Sequence, residues 1–230
     1  MDRGLFRPVP DYGFRETAVT LTEKGKNFAL ALGLSPVYAP HSKNLWHDEE
    51  LIKLVLFLEL QGWISKWATE QELKIGDVGK KLFPNTGRPP KIPDLVIEWN
   101  GSKDKILWAI ELERTAKEHT RYYDMVGAYK GISRFDSVLV IVASDAIEEN
   151  IKRAQGKLNY PQAQRPMLFT SLDQVTEYPA SCEIRMNQRR TTLSKIAQGL
   201  VDNHVMKSAD KAKSNSPGDS PGGAIERRSA

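Results

Sequence analysis

Pro93-Asp94-Leu95-Val96-Ile97-Glu98-Trp99 and, after a short polar turn, Ile106-Leu107-Trp108-Ala109-Ile110-Glu111-Leu112-Glu113-Arg114-Thr115 form the stretch on which the reading of this chain turns. Both halves read as strands, and Asn100–Lys105 (NGSKDK) between them carries a hairpin turn. Side chains alternate along a strand, so Leu107, Ala109, Glu111 and Glu113 share one face. Ile106, Trp108, Ile110 and Leu112 take the other, apolar face. A turn centred on Ser102–Lys103 sets Asp94 opposite Glu111, whereas a slip of one residue would send Asp94 to the wrong face. Carboxylates gathered on one face repel each other unless a positive charge lies between them. A divalent cation is the usual such charge, which makes Asp94, Glu111 and Glu113 a candidate metal site. The competing reading is that Glu-x-Glu lies on an exposed edge face, where charges meet water and need no metal.

Oxygen-rich, cysteine-free sites suit hard cations such as Mg2+ or Mn2+. Two or three carboxylates with a backbone carbonyl leave room for water and a phosphate oxygen. A metal held there acidifies the attacking water and neutralises charge on a phosphoryl transition state. Phosphodiester cleavage is the reaction that suits such a site.

The bulk properties narrow the field around this stretch. At 230 residues the chain can bury one good-sized core. No uninterrupted apolar run approaches the length that spans a bilayer, and MDRGLFRPVPDYGFRE lacks the apolar region of a secretory signal. Cys182 is the single cysteine, which excludes an intramolecular disulfide and a cysteine-rich zinc site. No membrane partner and a cytoplasmic location are the expectation. A net charge of +4 is compatible with a polyanionic partner, weakly.

Along the chain, residues 14–33 read as a strand, a turn at Thr22–Lys24 and a helix ended by Gly33, similar to the last part of a winged-helix domain. His47-Asp48-Glu49-Glu50 opens a helix with Leu51, Leu54, Val55, Leu58 and Leu60 at near-helical spacing, stopping at Gln61-Gly62. Trp63–Leu73 reads as a strand, and 74–93 as a loop carrying Lys80, Lys81, Arg88 and Lys91. After the central strands a helix is expected from Thr115 to about Ser133, then a strand over Ser137–Ala143, buried on both faces. Residues 145–157 read as a helix, Met167–Ser171 as a strand, and Ser171 as the cap of a short helix reaching Tyr178. The composition beyond Lys207 is that of a disordered tail. The expected organisation is an N-terminal arm over 1–40, an α/β domain with a mixed sheet over 41–200, and a tail over 207–230.

Pro-Asp on one strand and Glu-x-Glu on the next, in the order helix, three strands, helix, strand, resembles the PD-(D/E)xK nuclease superfamily. The resemblance implies a restriction-endonuclease-like core in which Asp94 matches the aspartate and Glu111 the second acidic position. Glu113 stands where a lysine usually orients the water, and Lys117 or Lys91 would have to supply that charge. PDLVIEWNG with AIELERTAKEHTRYYDMVGAY, and the upstream His47-Asp48, looks like the replication-relaxation group and the related MobC-type relaxases of mobilisable plasmids. Those join a winged-helix region to a nuclease-like domain with a pattern near PD...E-[VL]-[DE]-R-x-T. Glu111, Glu113 and Arg114 occupy that pattern here, with Thr115 immediately after.

Asp94, Glu111, Glu113 and Lys117 are thus the candidate catalytic residues, the three acids also being the candidate metal ligands. His47 is a candidate acid, base or phosphate contact, or else a helix cap. Arg114, Lys117 and Arg121 are spaced to lie near one stripe of a helix and to hold phosphates, or else to pair with Glu118. Glu50 is a further candidate ligand or part of a solvated face. Tyr122, Tyr123 and Tyr129 read as packing residues, and Cys182 as inert. Arg185, Arg189, Arg190 and Lys195 form a basic stretch that touches DNA or faces water. The expected function is a Mg2+- or Mn2+-dependent DNA endonuclease or relaxase-like nicking protein of plasmid mobilisation by conjugation, or of plasmid replication. Its partners would be DNA, such as a plasmid origin, and accessory mobilisation proteins. A catalytically inactive DNA-binding protein on the same fold and a protein-interaction scaffold are the alternatives.

Overall fold

The computed structural model describes residues 6–8, 19–21, 45–75, 77–83, 91–101, 105–187 and 189–200, with single helical positions at 24, 27 and 31. Strands β1 (Phe6–Pro8) and β2 (Val19–Leu21) pair antiparallel, Phe6 facing Leu21. Most of the expected arm, and the tail over 207–230, lie outside the described residues.

Helix α1 (Leu45–Leu60) buries Leu51, Leu54, Val55 and Leu58. Leu60, expected on the same face, is 85% exposed, because the helix is already ending there. Gly62, with φ +68°, closes the helix in the left-handed conformation that a side chain would resist. Its N–H donates to Glu59 O at 2.9 Å and that of Trp63 to Leu58 O at 3.0 Å, the paired bonds of a Schellman stop.

Strand β3 (Ile64–Thr69) is shorter than expected, because Thr69 starts a helix. The Thr69 N–H and hydroxyl donate to Glu72 Oε2 at 2.8 and 2.9 Å, and Glu72 N–H returns to Thr69 Oγ1 at 3.4 Å. This reciprocal box is a helix-start signal written in Thr-Glu-Gln-Glu, and it turns 70–75 out of the sheet. Helices α2 (Glu70–Ile75) and α3 (Asp77–Leu82) therefore replace the end of the expected strand and part of the expected loop. They approach so closely that a Cβ on Gly79 would lie 1.6 Å from the Leu73 carbonyl oxygen.

The remaining elements are β4 (Leu95–Trp99), β5 (Leu107–Glu113), α4 (His119–Gly131), β6 (Ser137–Val142), α5 (Asp145–Lys157), β7 (Met167–Ser171), α6 (Leu172–Glu177), β8 (Glu183–Met186) and β9 (Arg189–Thr192). A last helical run covers 193–200. Strands β3 to β9 form one seven-stranded mixed sheet in sequence order. Pairing is antiparallel from β3 to β5, parallel from β5 to β7, and antiparallel again to β9. The fold is thus a mixed α/β fold. Ser171 Oγ accepts the Gln174 N–H at 3.2 Å and caps α6.

Helices cover both faces of the sheet. Apolar residues of α1, α6 and 193–200 pack on Ile97, Trp99, Ile110, Leu112, Leu139 and Ile141. Residues of α4 and α5 pack on Val96, Ala109, Val138, Val140 and Val142 from the other side. Covering both faces is what the unbroken apolar run of β6 requires, and every residue of that strand is buried. Thr69→Ala should cost about 0.5–2 kcal/mol through loss of the α2 cap, measured as a lower urea midpoint at unchanged slope.

Candidate functional site

Strand β4 meets β5 with Leu95 opposite Ile110 and Val96 opposite Ala109, so one further step puts Asp94 opposite Glu111. The expected register is the observed one. Trp108, Ile110 and Leu112 turn to one core, while Leu107 and Ala109 turn to the other. Glu111 and Glu113 thus lie on the face covered by α4, in an inner strand flanked by β4 and β6. Glu111 is 0% and Glu113 3% exposed, which excludes a solvated edge. A buried carboxylate needs partners, because leaving water costs an unpaired charge several kcal/mol. Each of the acids has found one.

Asp94 stands at the entrance to β4. Its Oδ2 accepts the Leu112 N–H at 2.9 Å and lies 3.1 Å from His47 Nε2. The Asp94 carbonyl accepts the Glu70 N–H at 2.9 Å. Burial opposes ionisation of Asp94, but His47, Lys91 and the Leu112 amide outweigh it and hold its pKa below the usual range. For His47 burial works against the charged form. The carboxylates of Asp48 and Asp94 overcome it, and its pKa is pushed up to about 10.

Glu111 is gripped at both oxygens. Lys91 Nζ donates to Oε2 at 2.6 Å, and the Tyr129 hydroxyl donates to Oε1. Burial and the neighbouring charge of Asp94 push its pKa up to about 8 against the pull of Lys91 and Tyr129. Tyr129 is itself buried, on α4. The end of that helix is held in turn by Arg165, which donates to the carbonyls of Lys130 at 3.2 Å, Tyr129 at 3.5 Å and Ile132.

Glu113 pairs with Lys117, whose Nζ donates to Oε1 at 2.9 Å and lies 2.7 Å from Oε2. The second contact is electrostatic, off the hydrogen-bond direction. Helix α4 begins at His119 rather than Thr115, so Arg114 and Lys117 precede it and form no helical stripe with Arg121. The connector is held by the Lys117 N–H, which donates to the Tyr122 hydroxyl at 3.0 Å. The Arg114 guanidinium lies 5.1 Å from the Trp46 ring centre, a cation–π contact. Lys117 and Arg121 line a cleft of about 390 Å³ together with Lys91, Glu113, Asp124, Met125 and Ala128.

The donor set fits a hard cation in chemistry. Asp94 and Glu111 stand opposite each other across the strands, Glu111 fully buried and Asp94 partly so, and the charge of Asp94 opposes ionisation of Glu111. Among the described residues no three His, Cys, Asp or Glu side chains are grouped to hold a metal ion. The expected convergence of three carboxylates is therefore not found among the described residues, and Glu113 pairs with Lys117. Two carboxylates suffice for Mg2+, which commonly takes its other ligands from water and phosphate.

Other candidates lie away from these acids. Glu50 pairs with Lys53 at 3.2 Å and accepts from Thr176 Oγ1 at 2.9 Å, joining α1 to α6. Arg185 pairs with Glu148 at 2.5 Å and Arg190 with Glu183 at 3.2 Å, so part of the basic stretch is engaged within the fold. Cys182 is buried, which pushes its thiol pKa up and fits an inert residue. Tyr129, read from sequence as packing, touches Glu111. Lys91, weighed there only as a substitute for lysine at Glu113, is the cation on Glu111. Lys-x-Pro-Asp, Lys91 two residues before Pro93, was the one signal for it.

Two outcomes follow from this network. His47 keeps in the folded state a proton that the unfolded chain releases near pH 6.5, so its stabilisation is complete below that pH and lost as the pH rises through about 10. Glu111, raised from 4.5 to about 8, adds loss in the same direction at lower pH. Urea titrations should therefore show stability falling between pH 6.5 and 10 by on the order of a few kcal/mol, and His47→Gln should flatten that slope. Tyr129→Phe, which strips the donor from Glu111 Oε1, should cost about 1–3 kcal/mol by chemical denaturation at pH 7.

Compared with known proteins, the chain matches no protein-family model, no curated protein and no solved structure.

Proposed function

We propose that the protein is a metal-dependent phosphodiester hydrolase acting on DNA, a nicking or endonuclease activity on a restriction-endonuclease-like core. The observation that carries this reading is the register that sets Asp94 opposite Glu111 on a buried face, with a lysine on Glu111 and a cleft lined by Lys117 and Arg121 alongside. The order α1, antiparallel β3–β4–β5, α4 and parallel β6, with α2 and α3 after β3, agrees with the order expected from the resemblance to the PD-(D/E)xK superfamily and supports this reading.

Asp94 and Glu111 would hold Mg2+ or Mn2+, and the metal would acidify a bound water and neutralise phosphate charge. Tyr129 orients Glu111, and His47 with the Leu112 amide orients Asp94. Lys117 and Arg121 line the cleft where a phosphodiester backbone would lie, Arg121 with its side chain exposed. Binding through such contacts weakens as salt rises, since each phosphate contact releases a counterion. Plasmid DNA, at an origin and with accessory mobilisation proteins, is the substrate that the relaxase-like motif suggests. Among the described residues no helix is long and apolar enough to cross a membrane.

A second reading has one observation of its own. The acids are already matched by His47, Lys91 and Lys117, and this suits a DNA-binding protein that has lost catalysis.

Supercoiled plasmid incubated with Mg2+ or Mn2+ separates the two. We expect nicking, reduced about a hundredfold or more in Asp94→Asn and Glu111→Gln, since metal ligation supplies several kcal/mol of transition-state stabilisation. Salt-sensitive DNA binding by the wild type without cleavage would establish the second reading. Neither binding nor cleavage would sink both and leave the scaffold alternative.

A further inference from the structure

The cation among the carboxylates is a side chain of the chain itself. Lys91 Nζ lies 2.6 Å from Glu111 Oε2, and the charges of Asp94 and Glu113 act on the ammonium as well. The other oxygen of Glu111 is taken by Tyr129. An ion entering between Asp94 and Glu111 brings a second cation against Glu111, which repels the Lys91 ammonium and leaves the neutral Tyr129 hydroxyl in place. The two donors also differ in freedom. Tyr129 is 1% exposed, its ring fixed in the core against Phe135. The Lys91 side chain is 31% exposed and lines the cleft that also holds Lys117 and Arg121. A lysine suits exchange, because its ammonium is a point charge on a flexible stem, whereas an arginine would grip the carboxylate with two parallel bonds.

We propose that Lys91 is an exchangeable cation that occupies the metal's place. In the free protein it neutralises the buried acids, which would otherwise repel one another and oppose folding. When a divalent ion binds, Lys91 yields Glu111 Oε2 and turns its ammonium into the cleft, beside Lys117 and Arg121. There it meets a phosphate oxygen of the DNA backbone. One residue thus opposes the metal in the resting state and assists the substrate in the working state. This inference rests on the metal-dependent reading of the site.

That dual role gives removal of Lys91 two effects of opposite sign. A purely structural lysine would lower metal binding and cleavage together when lost. Lys91→Met should instead bind Mn2+ about tenfold or more tightly than the wild type, because one nearby positive charge no longer competes. Its plasmid nicking should fall at the same time. Lys91→Arg, which keeps the charge and strengthens the grip on Glu111, should bind Mn2+ more weakly than the wild type. Calorimetric titration with MnCl2 alone measures the affinities, and circular dichroism checks the fold. Mn2+ affinity in Lys91→Met equal to or below that of the wild type would overturn the exchange and leave the metal site standing. Absence of Mn2+ binding in both proteins would overturn the metal site and the exchange with it. Should Lys91→Met not fold, Lys91→Arg decides, and an Mn2+ affinity at or above the wild-type value overturns the proposal.

Discussion

Asp94 Oδ2 accepting the amide of Leu112 is the contact on which the centre of the molecule depends. Strand β4 begins only at Leu95, so the backbone ladder to β5 has no partner from β4 at this level. The carboxylate takes over, bonding an amide that would otherwise be orphaned in the sheet. The same residue accepts from Glu70 through its carbonyl and meets His47 through its side chain. It therefore joins α1, the start of α2, β4 and β5. A side chain so used cannot drift, and the acid facing it across the strands, Glu111, inherits that fixed position.

Charge matching explains why the arrangement folds at all. Strand β5 places Glu111 and Glu113 in a face that α4 seals from water, where unpaired acids would be costly. Lys91, Lys117 and His47 arrive from three separate parts of the chain to meet them. None of these bases comes from the strands that carry the acids. The sheet supplies the negative charge and its borders supply the positive charge, so the cleft forms where the two meet.

Strands β3 to β7 were legible because they obey simple patterns, whereas the short, arginine-rich β8 and β9 carry no such pattern and read only as a basic stretch. The Ser137–Val142 run is apolar without interruption and is buried throughout, and the alternation of β5 divides its side chains between two cores as read. The turn length placed Asp94 opposite Glu111 correctly because a hairpin register has few solutions. What escaped depended on contacts beyond the local pattern. The Thr69–Glu72 box was available in the letters but lay in a stretch with strand-like residues, and the capping bonds won. Spacing suggested a helical stripe of Arg114, Lys117 and Arg121, yet the chain stays non-helical to Glu118, where the Lys117 N–H meets the Tyr122 hydroxyl. Tyr129 looks like any aromatic on a buried helix face, and nothing in its neighbourhood in sequence indicates that its hydroxyl meets an acid eighteen positions earlier.

Arg165 carries a consequence for where such a centre resides in a protein. It belongs to the segment between α5 and β7, and it meets neither Asp94 nor Glu111 among the described contacts; it binds the carbonyls that finish α4. Through that helix end it governs where the tyrosine stands, and through the tyrosine, where the acid stands. The hydrogen-bonded group around the acids is therefore spread from His47 to Arg165, with long intervals between its members. A lineage could rewrite most of those intervals and keep the centre intact. Descent in such proteins would be recorded in a sparse set of widely separated letters rather than in any continuous phrase.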